Sequence, residues 1–259
     1  MKRYAVLLCS VSLLACFCGK GEPALKLETL EWNEETSHYV VTVEGEVAGT
    51  SFTTIVPRTH EDRPILEIAS MTEVGSESGS TRDSSWLVVR REDLKPVHAF
   101  RTVATEGGNL WSETSYSDEE AAVQAMTPVG AKSIELPLEK RTFDNDEVTT
   151  LLRALQLDEE EDVEMEVVVG LAGAVIPVSL TLMGNEVITV PAGVFETRRI
   201  QMGIAGQFVD LWYEQAGRRR LVRYEAPGSQ LVMELTETPV PNPSGEPSNA
   251  ESKPPRTGR

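Results

Sequence analysis

The side chains of this chain that could carry chemistry are few, and their spacing argues against most catalytic designs. Three histidines, His38, His60 and His98, stand far apart, and none forms the HxxxH spacing that puts two imidazoles on one helical face. Each reads as a strand or loop residue. A GxSxG nucleophile elbow is absent, because the centre of Gly75-Ser76-Glu77-Ser78-Gly79 is a glutamate. The acids at 158–162, with Glu164 and Glu166, offer oxygens of the kind that hold Ca²⁺ but lack the glycine-turned alternation of an EF-hand loop. They read as a solvated turn entering a strand, with Glu164 and Glu166 toward water and Val163, Met165 and Val167 inward. Paired carboxylates need only meet in space, so Asp144, Asp146 and Asp210 stand as candidates for acid–base work. Arg198, Arg199, Arg218, Arg219, Arg220 and Arg223 gather positive charge late in the chain. Cross-strand pairing with Glu and Asp is their expected use, and binding of an anionic group the alternative. The expectation is a protein that is not an enzyme, with no metal site and no cofactor.

One residue does acquire a chemical role, Cys16. Lys2 and Arg3 form a positive n-region, and residues 5–15 (AVLLCSVSLLA) form an apolar stretch of signal-peptide length. Such a stretch is too short to span a bilayer, which takes about 20 apolar residues. Its end, Leu13-Leu14-Ala15-Cys16, resembles the lipobox of bacterial lipoproteins. That resemblance implies cleavage before Cys16, a diacylglyceryl thioether on its sulfur and an acylated amine. Each buried CH₂ contributes about 0.8 kcal/mol, so two or three chains anchor a protein stably. Cys9, Cys16 and Cys18 are the three cysteines, which leaves the exported body without thiols for disulfides, zinc or nucleophilic attack.

Charge narrows the partners. Lys2 and Arg3 are the only charges in the first fifteen residues, so cleavage takes the net charge from −17 to −19. A field of that sign repels nucleic acid and anionic lipid. Attachment to a membrane therefore depends on the lipid at Cys16, and the expected location is the cell envelope, facing the periplasm. Residues 1–15 read as the lipoprotein signal peptide, 16–24 as a lipidated tether, 25–238 as one β-rich domain and 239–259 as a disordered Pro-rich tail.

The elements that must position these groups are mostly strands. Residues 38–47, 51–56, 65–72 and 86–90 are short runs rich in β-branched and aromatic residues. Residues 73–85 (EVGSESGSTRDSS) read as a flexible loop. Further strands fit 97–105, 109–116, 121–127, 163–169, 176–182, 186–190, 194–202, 208–214, 220–224 and 231–236. Such a series predicts a mainly β fold, an antiparallel meander curling into a half-barrel or open barrel. One segment differs: Asp144-Asn145-Asp146-Glu147 supplies a cap and first-turn acids, after which Val148, Leu151, Leu152 and Leu155 recur at helical spacing. This predicts a single amphipathic helix of about three turns, 145–156, lying on the concave face.

Several stretches of the second half carry a family resemblance. The acidic cap leading into Leu151-Leu152-Arg153-Ala154-Leu155, then Val190-Pro191-Ala192-Gly193-Val194-Phe195-Glu196-Thr197-Arg198, then Asp210-Leu211-Trp212-Tyr213, resembles an uncharacterised family of exported bacterial proteins, a domain of unknown function. Over about residues 134–236 the resemblance implies a β half-barrel like that of lipoprotein carriers, with a helix against its concave face, and it transfers no active-site residues. Leu151, Leu155, Phe195 and Trp212 are the candidate lining of a ligand cleft. The functional expectation is a lipid-anchored, noncatalytic binding domain for a lipid or other apolar ligand. The alternative is a structural or interaction component of an envelope protein assembly.

Overall fold

The computed structural model describes residues 24–76, 79–158 and 162–238. The signal peptide, Cys16, the tether up to residue 23 and the tail from residue 239 lie outside the described residues. One antiparallel meander comprises β1 (Glu35–Val43), β2 (Glu46–His60), β3 (Arg63–Ser76), β4 (Gly79–Arg90), β5 (Pro96–Thr105), β6 (Gly108–Tyr116), β7 (Glu120–Thr127) and β8 (Gly130–Pro137). A second part comprises β9 (Thr142–Asp144), a 3₁₀ turn (Asn145–Glu147), α1 (Val148–Ala154), β10 (Val163–Val169), β11 (Ala174–Val190), β12 (Gly193–Ile204), β13 (Gln207–Glu214), β14 (Leu221–Ala226) and β15 (Leu231–Thr236).

All fifteen described strands form one open sheet, in the order β8 to β1, then β15 to β9. The first and last strands join the two parts, with His38 opposite Thr236 and Val43 opposite Leu231. Every pair is antiparallel except β9 and β10. Parallel neighbours need a crossover, and the 3₁₀ turn and α1 supply it through the concave interior. The outermost strands, β8 and β9, follow one another in sequence, so the sheet curls back on itself. Ala121, Val123 and Leu136 of β7 and β8 thereby pack against Val168 of β10 in a small second core. The main core surrounds α1: Val148, Leu151, Leu152 and Leu155 pack among Leu66, Leu87, Ile200, Leu211 and Tyr213.

The mainly β fold class, the curved open sheet and the single helix agree with expectation. The helix itself differs. α1 has seven residues, and Leu155 beyond it is already extended. Its polar side is covered as well as its apolar one, because Thr150 and Arg153 are buried along with the leucines. A sheet that wraps around a short helix leaves it no solvent face.

Residues 73–85 are a second difference, since most of them form the β3–β4 hairpin rather than a loop; Glu77 and Ser78 lie outside the described residues. Small polar residues hold strand geometry there by pairing across it. Ser70 meets Ser85 at 2.7 Å and Ser51 meets Thr72 at 2.7 Å, while Arg82 pairs with Glu73 at 3.2 Å. Such pairs supply what apolar alternation supplies elsewhere. The expected strand 38–47 is split by the turn at Glu44-Gly45. Strands expected at 176–182 and 186–190 are one strand, β11, with an irregularity between Leu182 and Gly184. Strand β8 was not expected at all.

At the β1–β2 bulge a side chain cannot be accommodated: a Cβ on Gly49 would lie 1.8 Å from the Glu73 carbonyl oxygen. Leu152 has no exposed surface, and its truncation to Ala should cost about 2–5 kcal/mol of unfolding free energy. Urea unfolding of Leu152→Ala tests this, and a loss below about 1 kcal/mol would show that the helix is peripheral to the core.

Candidate functional site

Three places bring together the residues singled out above: the interior, the start of α1, and one rim of the sheet. In the interior, Leu151 and Leu155 are 1% exposed, enclosed by strands on every side. Phe195, on the β11–β12 hairpin, is partly buried at the edge of the same core. That hairpin turns through Pro191 and Ala192, with Gly193 at φ +129°, and its Ala192 N–H donates to the Leu235 carbonyl at 3.0 Å. Trp212 lies elsewhere. Its neighbours Leu211 and Tyr213 face the core, so strand alternation turns Trp212 to the other face. There its ring lies between the guanidinium groups of Arg199 and Arg223, 5.1 and 5.5 Å away, and its Nε1 donates to Glu186 at 2.7 Å. The four residues do not line one space.

The arginines divide between two uses. Arg199 pairs with Asp210 at 3.1 Å, Arg220 with Glu214 at 2.6 Å and Arg223 with Glu234 at 3.1 Å, as cross-strand pairing requires. Arg198 instead reaches into the interior and caps the helix. It donates to the carbonyls of Leu155, Leu152 and Arg153 at 3.1, 2.5 and 3.2 Å. These are the carbonyls that a helix end leaves without partners. Burial, then the nearby Arg219 charge, lowers the Arg198 pKa. Arg153 donates to Glu35 and to the Arg218 carbonyl and stacks over Trp32.

At the other end of α1 the expected cap is present and buried. Asp144 accepts from the Asp146 N–H at 2.8 Å, and Glu147 accepts from the Asp144 N–H at 2.7 Å, which completes a capping box. The meander then reaches in to meet these acids. Tyr116 of β6 donates to Asp144. Arg101 of β5 donates to Asp146 at 2.9 Å and, through two nitrogens, to Asp83 of β4 at 3.0 and 2.5 Å. Two of the three candidate carboxylates, Asp144 and Asp146, thus come together, whereas Asp210 stays with Arg199.

Burial, reinforced by the Asp146 charge, pushes Asp144 up to about 7. Asp146 is raised by burial against the opposing pull of Arg101. Glu147 is raised well above its ordinary value, again by burial first, and its Oε2 is buried without a hydrogen-bond partner. Burial alone would lower Arg101, but Asp146 and Asp83 outweigh it and leave its pKa raised. The capping box was visible in the sequence. Tyr116, Arg101 and Asp83 carried no local signal, since only strand pairing brings them to the helix.

The third place is a recess of about 360 Å³ at one rim. It opens among the β2–β3, β4–β5, β6–β7 and β8–β9 connections, which strand polarity puts at one end of the sheet. Ile65, Pro96, Val97, Leu138 and the Tyr116 ring give it apolar walls, Arg63 and Lys95 give it cationic ones, and His60 stands beside them. Arg90, also at its wall, is held by Asp93 and Asp118, both at 2.8 Å. Of the three histidines, His60 alone reaches the recess; His98 meets Trp86 edge-on and His38 lies beside Phe52. Among the described residues no group of three His, Cys, Asp or Glu is arranged to hold a metal ion, and no helix is long and apolar enough to cross a membrane.

This is an open, helix-filled β-barrel-like domain. Residues 38–236 match the family model described as "Protein of unknown function (DUF3108)", and the chain belongs to that family. The match takes in the first half as well, where the sequence alone offered only strand-richness. Among solved structures, the fold is similar to a beta-barrel-like protein of the domain of unknown function DUF1849 from Brucella abortus. The TM-score is 0.51 at 8% identity, with 80% of this chain and 97% of that chain covered. A comparison with curated protein sequences gives no match.

The buried acids make stability depend on pH with a definite sign. Unfolded, Asp144 and Glu147 ionise near their ordinary values of 3.8 and 4.5; folded, they hold their protons higher. Their contribution to stability is therefore full below about pH 4 and is lost as the pH rises toward 7. Asp144→Asn keeps an acceptor for Tyr116 and removes one titration. The slope of unfolding free energy between pH 4.5 and 7 should shrink by up to about 1.4 kcal/mol per unit. Urea titrations at several pH values measure it, and an unchanged slope would show that Asp144 does not carry the effect.

Proposed function

We propose that the protein is a lipid-anchored component of the cell envelope whose domain binds noncatalytically, at its rim rather than in its interior. The observation that carries this reading is the filling of the concave side by α1. Leu151, Leu152 and Leu155 are at most 1% exposed, so an acyl chain inside the sheet would have to displace the helix that organises the core. Asp144, Asp146 and Glu147 are committed to a helix cap and ion pairs, which supports a structural use for them over acid–base catalysis. Anchoring rests on the lipobox resemblance at Cys16, with the membrane as the constant partner and the periplasm as the setting. Replacing Cys16 with Ser should move the protein from the membrane fraction to a soluble or unprocessed form. Continued membrane retention of a processed Cys16→Ser chain would refute the anchor.

A second reading, an interaction component of an envelope assembly, is favoured by the edge of β8. Residues 131–135 are all exposed. Pro137 lacks an N–H and stands opposite Glu120, so by alternation Ala131, Ser133 and Glu135 direct their backbone groups away from β7. An edge of this kind is a template for a strand from another chain. Ser133→Pro removes an outward N–H without breaking the β7–β8 ladder. In-cell crosslinking should trap a discrete partner that this variant loses, and a crosslink pattern indifferent to Ser133→Pro would exclude the β8 edge.

A further inference from the structure

We infer that the rim recess is a binding site for an anion-headed amphiphile, a single phosphate or carboxylate carrying an alkyl portion, with Lys95 and Arg63 receiving the head. This deepens the rim-binding reading and rests on it.

Lys95 is the first ground. Its ammonium has three N–H donors, of which two go to the carbonyls of Lys140 and Thr142 at 2.6 and 2.9 Å. It sits 4.0 Å from the centre of the Phe143 ring. Among the described residues no carboxylate forms an ion pair with it, whereas neighbouring Arg90 holds two. Burial disfavours this charge, the acids Glu147 and Asp93 offset the burial only in part without pairing with the ammonium, and an arriving anion relieves the rest.

The rim supplies the second ground. His60 and Arg63 are exposed and face each other across the β2–β3 turn, and no ion pair occupies Arg63 among the described residues. The turn is built from Glu61 and Asp62 at φ +48° and +63°, a backbone region that glycine or asparagine usually fills. The tight turn places the start of β3, and with it Arg63, beside the recess. Glu61 and Glu139 at the rim are exposed, as Arg63 is, whereas Lys95 is half-buried, so the deepest of these charges is cationic.

The apolar walls select the rest of the ligand. Ile65, Pro96 and Leu138 offer surface for a few methylenes, and 360 Å³ lies at the small end of ligand pockets. Position agrees with this chemistry. Strand β1 begins at the same end of the sheet as the recess, so the chain enters the domain there. The seven residues between Cys16 and Ala24 span at most about 28 Å when extended. An anchor at Cys16 would hold that end near the lipid surface, where such amphiphiles concentrate.

Calorimetric titration of the full chain carrying Cys16→Ser, without detergent, tests the site with decyl phosphate, decanoate, decanol and inorganic phosphate. Saturable binding of decyl phosphate and decanoate is expected, at least ten-fold weaker for decanol and for inorganic phosphate. Lys95→Gln and Arg63→Glu should each weaken decyl phosphate binding ten-fold or more. Arg63 lies on an exposed turn, so its variant decides the matter should Lys95→Gln fail to fold. Equal affinity for decanol, or no saturable binding of either anion, would overturn the proposal. Binding that ignores both variants yet disappears with Leu151→Trp would put the ligand inside and overturn the rim reading as well. Flotation with phosphatidylglycerol against phosphatidylcholine vesicles separates the sources. Retention on the former that is lost in Arg63→Glu assigns a bilayer lipid, and decyl phosphate binding without vesicle preference assigns a free amphiphile.

Discussion

The parallel pairing of β9 with β10 is the constraint from which the rest of the structure follows. Fourteen strands can follow one another through tight turns, but two parallel neighbours cannot, and the chain between them has to travel back the length of a strand. It does so inside the curve of the sheet. Once the crossover runs through the interior, its helix is covered on its polar as well as its apolar side, its N-terminal acids must be buried and its C-terminal carbonyls must find partners far from water. Tyr116, Arg101 and Arg198 answer those needs, and each comes from a different strand. The helix ends are thus satisfied by the sheet rather than by solvent.

This arrangement explains which features the sequence disclosed. The run 121–127 alternates cleanly because one of its faces, with Ala121, Val123 and Ala125, is buried and the other, with Ala122, Gln124 and Met126, meets water. Residues 73–85 of the β3–β4 hairpin escaped because their polar residues pair across strands, Ser85 with Ser70 and Arg82 with Glu73, so composition alone resembled a loop. Strand β8 escaped for a related reason: as an edge strand it buries only Leu136 well, and its remaining residues read as surface. The cap at Asp144 was legible from local spacing. The length of α1 was not, since Gln156 and Leu157 continue a helical pattern that the Leu27–Leu155 bridge interrupts.

The candidate sites divide along the same line. Cys16 could be read because its signal is contiguous. Leu151 and Leu155 were correctly read as inward-facing, but periodicity cannot say whether an inward face borders a cavity or another side chain. Trp212 was grouped with them on size, although its strand puts it on the opposite face between two guanidinium groups. The recess could not be read at all. Ile65, Lys95, Tyr116 and Leu138 come from four separate stretches, and only the curling of the sheet draws their ends together.

The join between β1 and β15 has a mechanical consequence. The chain enters β1 and leaves β15 at the same end, beside the His38–Thr236 pair. Tension between the N-terminal and C-terminal segments would therefore fall on one rung of the ladder at a time, peeling it open rather than sliding two strands past each other. Pulled from the N-terminal side, the chain would first give up the bonds that tie residues 26–28 to the end of α1, from the Glu28 N–H to the Ala154 carbonyl and from the Gln156 N–H to the Lys26 carbonyl, and then the line where the two meanders meet.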